Sequence, residues 1–117
     1  MPYQRLLDHL VQCVAGAQGA LLLDATGEVV VEAGDRHERH RLIGAYQGIA
    51  LARARGLADR HSAGEIRHLV CRYSDGSVIL RPLKDGYYLV LSLGRGANVG
   101  QGLHRSAEMQ QRMNAEL

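Results

Sequence analysis

From Tyr87 to Leu93 only Ser92 breaks an apolar run. Leu89, Leu91 and Leu93 fall on one side of a strand, Tyr88 and Val90 on the other. A strand apolar on both faces belongs in the middle of a sheet covered on both sides. The other segments follow from their periods. Leu6, Leu7, Leu10, Val11 and Val14 recur at helical spacing and predict a helix over 2–15, ended by Gly16. Gly19–Asp24 and Glu28–Ala33 predict two strands joined by a tight Asp24–Gly27 turn. Asp35 is a candidate N-cap for a long helix over about 36–55, with Gly56 at its end. Strands are expected at Glu65–Tyr73, Ser77–Lys84 and Tyr87–Leu93, joined by Asp-Gly turns, and a last helix at about 100–115.

The order is therefore α-β-β-α-β-β-β-α. It predicts an α/β protein of the α+β type: a single five-stranded antiparallel sheet with helices on both faces. Pro82 lies inside a predicted strand and cannot donate to a ladder, so a bulge or an unpaired edge is expected there. With 117 residues the chain is expected to be one domain, 1–117.

Composition narrows function mainly by exclusion. The chain is 46% hydrophobic and 22% charged, and it contains no Phe or Trp, so Leu, Val, Ile, Ala and Tyr must build the core. A net charge of +2 is too small to argue for nucleic acid or a membrane surface. Cys13 and Cys71 make no disulfide framework and suit a reducing compartment. Arg5, Asp8 and His9 interrupt the N-terminal apolar stretch, so it does not read as a signal peptide. No run approaches the length of a membrane span, and a cytoplasmic location is expected.

The middle helix has an unusual second side. At about 100° per residue, Leu42, Ile43, Tyr46, Ile49 and Ala50 cluster on the side expected to lie on the sheet. Gly44, Ala45, Gly48 and Ala52 fall opposite, with Leu51 beside them and Arg41 and Arg55 at the ends. Each interior glycine costs about 1 kcal/mol relative to Ala. Small residues at this spacing let another backbone approach, so the strip is expected to receive a partner. Gly48→Arg should then block association and leave the fold intact.

The candidate chemistry is thin. Gly94–Gly100 follows a strand and opens a helix, the setting of a phosphate loop, but its glycine spacing misses the dinucleotide pattern and it lacks a P-loop Lys-Ser/Thr. No cofactor or nucleotide is expected to bind the chain alone. His37 and His40 are too few for a zinc site, and His68 and Cys71 would fall on opposite faces of a strand. No nucleophile–base or paired-carboxylate arrangement can be argued, so no enzyme activity is expected. Arg41 and Arg55 are placed as an arginine finger would be, were the chain to activate a GTPase.

Three segments together resemble the roadblock family of dynein light-chain and GTPase-regulator domains. They are Gly16–Asp24 followed by Gly27–Val30, then Lys84–Leu91, and the closing glycine turn and helix from Gly94 to Leu117. The resemblance implies a dimer, with the middle helix and the strand after it forming the seam and the two sheets joining into one of ten strands. Ile66, His68 and Val70 then join Arg41, Gly44, Ala45, Gly48, Leu51, Ala52 and Arg55 as candidate dimer or partner contacts. It also implies a scaffold or regulator without an active site; bacterial members often work with a Ras-like small GTPase. Two alternatives share the architecture: a small-ligand sensor of PAS-like or profilin-like plan, which needs a roomy cavity, and a purely structural dimerisation module.

Overall fold

The computed structural model describes residues 2–34 and 38–117, the side chains of 38–47 excepted. The elements are α1 (Pro2–Cys13), β1 (Ala17–Leu23), β2 (Val29–Gly34), α2 (Glu38–Arg60), β3 (Leu69–Tyr73), β4 (Gly76–Pro82), a 3₁₀ turn (Lys84–Gly86), β5 (Tyr88–Gly94) and α3 (Val99–Glu116). The strands form one sheet in the order β2-β1-β5-β4-β3, and every neighbouring pair is antiparallel. β5 lies at the centre, as its two apolar faces require.

The period of two along β5 sorts the core into two layers. Leu89, Leu91 and Leu93 join Ala20, Leu22, Val31 and Ile79 beneath α1 and α3, which contribute Leu7, Leu10, Met109 and Met113. Tyr88 and Val90 join Leu21, Leu23, Val78 and Leu80 on the other face, capped by Leu51 of α2. Fully burying a leucine-sized side chain contributes roughly 1.5–3 kcal/mol, so the leucine-rich layers replace the missing Phe and Trp.

The turns follow their local chemistry. Asp24 Oδ1 accepts from the Thr26 and Glu28 amides at 2.9 and 3.0 Å, and Gly27 takes φ +89°, a left-handed value that glycine adopts without strain. These bonds, the Thr26 hydroxyl first and the Glu28 amide second, hold the Asp24 carboxyl below its usual value. At the other end of the chain, Asn98 caps α3 by accepting from the Gln101 amide at 2.9 Å.

Two boundaries differ from expectation by four residues or more. α2 continues through Gly56 to Arg60, five residues beyond the expected end at 55. β3 starts at Leu69 rather than Glu65, because its ladder with β4 begins at the Leu69–Leu80 pair. Pro82 is the cause. The Leu83 N–H donates to the Tyr87 carbonyl at 2.7 Å, so position 83 faces β5 and position 82 faces the β3 side. There proline has no N–H to offer and pairing with β3 stops, which is the unpaired edge that the residue predicted. Asp35 as an N-cap, and His37, lie outside the described residues.

Candidate interaction surface

The described part of α2 turns a different side to the sheet from the one its composition suggested. Leu51 is 2% exposed and sits among the core leucines. Gly48 lies directly over Tyr88: a Cβ there would meet the Tyr88 hydroxyl and stand 2.8 Å from its Cζ. Ile49, expected on the sheet, is 54% exposed, and Ala50 is exposed too. The placement of Gly48 and Leu51 on a partner-facing strip is therefore corrected. The small residue does permit a close approach, but the visitor is this chain's own tyrosine. A ring as large as Tyr88 under a helix leaves no room for a side chain at 48, and the bulky Ile49 and Leu57 of the described part point outward.

The remaining candidates divide three ways. Ala52, Arg55 and His68 are exposed. Ile66 and Val70 are half-buried and pack against this chain's two core layers. The side chains of Arg41, Gly44 and Ala45 lie outside the described residues, as does that of His40.

What α2 shows to solvent is a mixed apolar and basic stripe. Ile49, Arg53, Leu57 and Arg60 recur at spacings of four, four and three, and all are exposed. Leu57, like Ile49, is 54% exposed. No acidic residue stands among them; Asp59 lies on another side of the helix and lines a cleft. At one end of the sheet, β3 carries the exposed Arg72 and Tyr73.

A cleft of about 860 Å³ opens between the last turns of α2, the segment around Gly64–Ile66, the end of β4 and the last turns of α3. It lies at the surface, and its lining contains no aromatic residue. That is not the enclosed aromatic pocket a sensor domain would need.

Sequence reasoning missed Arg81. It is 6% exposed, on the face of β4 toward α3. Its Nε donates to Ser106 Oγ at 2.8 Å, Nη2 to the Leu103 carbonyl at 2.8 Å and Nη1 to Gln110 Oε1 at 3.4 Å. All three acceptors are neutral, and burial lowers the Arg81 pKa from its ordinary value. Burial also raises the pKa of the Tyr88 hydroxyl, with the Asp24 charge as second cause.

The glycine-rich turn before α3 is a capped strand-to-helix connection. Gly96 takes φ +80°, the Ala97 amide donates to the Gly94 carbonyl at 3.2 Å, and Asn98 Oδ1 already accepts from the Gln101 amide, one of the free amides of the first turn. Among the described residues no three His, Cys, Asp or Glu side chains converge as a metal site, and no helix is long and apolar enough to cross a membrane.

Comparison with known proteins identifies the architecture. The Roadblock/LC7 domain family matches residues 3–92, and the chain belongs to that family. No curated protein matches it. Among solved structures, the Roadblock/LC7 domain from Streptomyces avermitilis is 20% identical; the alignment covers 97% of this chain and 95% of that one, with a TM-score of 0.87. Myxococcus xanthus MglB is 16% identical over 98% of this chain and 94% of its own, also with a TM-score of 0.87. An MglB described in a tetrameric arrangement is 17% identical over 97% and 88%, with a TM-score of 0.85. At these identities the likeness shows the shared fold. The family is a regulatory one rather than a catalytic one.

Proposed function

We propose that the protein is a cytoplasmic homodimer that binds a Ras-like small GTPase and regulates or scaffolds it, with no active site of its own. The observation that carries the reading is the family match over residues 3–92. The surface is consistent with it. β3 is an end strand whose outer edge can extend the sheet into a second copy. The exposed stripe of α2, Ile49, Arg53, Leu57 and Arg60, offers apolar area interleaved with arginine, a residue enriched in protein interfaces. The similar MglB in a tetrameric arrangement supports self-association.

In this reading Ala52 and Arg55 extend the helical contact, and His68 and Val70 lie along the seam. A GTPase partner binds differently in its GTP-loaded and GDP-loaded forms, because only a difference in affinity between states can regulate. The test is titration of the purified protein with Ras-like GTPases encoded by the same genome, each loaded with either nucleotide. Nucleotide-dependent binding that weakens in Leu57→Asp supports the proposal. Equal affinity for both forms, or none for any of them, overturns it.

A further inference from the structure

The charge of the chain is unevenly placed. Its net charge is +2, yet residues 36–61, the segment that contains α2, hold six arginines against only Glu38 and Asp59. That segment is formally +4 and the rest of the chain −2. On the described part of α2, Arg53 and Arg60 put this excess on the outward stripe. The His61 amide donates to the Leu57 carbonyl at 3.1 Å, so the helical path continues past Arg60 and sets His61 beside Leu57. Neither Arg53 nor Arg60 makes an ion pair with a described residue. Asp59, the acid next to Arg60 in the chain, lines the cleft instead. Four large apolar side chains are exposed among the described residues, and the stripe holds two of them, Ile49 and Leu57. These two lie about 12 Å apart along the helix, with Arg53 midway between them.

We propose that this stripe docks on an acidic surface patch of the partner protein, in which carboxylates alternate with shallow apolar sites for Ile49 and Leu57. The proposal rests on the GTPase reading for the partner and adds the chemistry of the partner's contact face. A second copy of this chain is a poor occupant. In a twofold contact the same patch meets itself, so Arg53 and Arg60 would face arginines. Like charges juxtaposed across an interface disfavour association. A lipid surface fits no better. A helix lying in one needs a wide apolar face, whereas α2 turns Leu51 to its own sheet and shows solvent two separated apolar side chains. An acidic patch complements the arginines, and exposed charge pairs of this kind act chiefly on the rate of encounter.

The test measures association and dissociation rates of the intact protein with the Ras-like GTPases of the same genome at about 0.05 and about 0.5 M salt. It compares the wild type with the double variant Arg53→Glu, Arg60→Glu. Both positions are exposed on a helix, where glutamate is about as good a helix former as arginine, and circular dichroism verifies that the variant folds. The wild type is expected to associate roughly tenfold or more slowly at the higher salt with dissociation nearly unchanged, and the variant to be slow at both. Selecting randomly mutated GTPase on the variant should restore fast association through an Asp or Glu changed to Lys or Arg. Light scattering should give the variant the mass of the wild type, and neither should sediment with phosphatidylserine vesicles at about 0.15 M salt. Binding whose rates ignore both salt and the charge reversal overturns the proposal and leaves the GTPase reading standing; binding to no GTPase overturns both. A changed mass in the variant assigns the stripe to a second copy, and sedimentation that the variant loses assigns it to lipid. Either result overturns the proposal.

Discussion

Gly48 shows how one residue sets the orientation of a helix. Its missing side chain lets α2 pass over Tyr88, which is 4% exposed. Ala at a helix interior is favoured over Gly by about 1 kcal/mol, whereas forcing a methyl into a filled core costs about 1–3 kcal/mol. The steric term should win. Gly48→Ala is expected to destabilise the fold by about 1 kcal/mol, read by urea denaturation. The loss should be smaller in a Tyr88→Phe background, where the nearest atom is gone; an equal loss in both backgrounds would mean that Tyr88 is not the obstacle. Gly48→Arg is then expected to disrupt folding, not to block a partner on an intact surface. In the sequence, the glycine correctly signalled a close approach. The identity of the approaching group was not legible, because a tyrosine forty residues later is connected to it only through the sheet register.

At the level of elements, alternation made β5 readable: a strand apolar on both faces has only one place to go. α2 was harder, because among its described residues the bulky Ile49 and Leu57 lie outward while Gly48 and Leu51 face the sheet. Pro82 flagged the interruption of β4 correctly, yet the shortened β3 was not deduced from it, since the partner register was unknown. Arg81 was invisible for a related reason. An arginine after Val78-Ile79-Leu80 reads as the wet end of a strand until α3 brings Ser106, Gln110 and the Leu103 carbonyl around it. Those bonds, together with Gln110 on Pro82 and Asn114 on Lys84, fasten α3 to β4. Hydrogen bonds to a charged donor are worth about 1.5–3 kcal/mol, and truncation also leaves a cavity. Arg81→Ala should therefore lower stability by about 3 kcal/mol. Arg81→Met, which keeps the volume, should cost less. If both variants lose the same amount, packing volume does not contribute at this site and the hydrogen bonds alone hold α3.

At the scale of the whole molecule, the sheet ends decide what the protein can become. β2 and β3 are the two edges. Beside β3, Tyr73 is 54% exposed, and an accessible strand edge is normally covered or paired. Closing two β3 edges about a twofold axis gives an isologous contact, in which the same residues serve both copies and growth stops at two. Light scattering at micromolar concentration should then give about twice the 12.8 kDa chain mass. Unfolding should carry the same signature. If the dimer dissociates as it melts, the midpoint rises with protein concentration, because mass action favours the associated native state. A scattering mass of one chain, with a midpoint independent of concentration, would leave the β3 edge unpaired in solution. It would also remove the homodimer from the proposed function, while a GTPase could still bind the exposed stripe of α2 on a single chain.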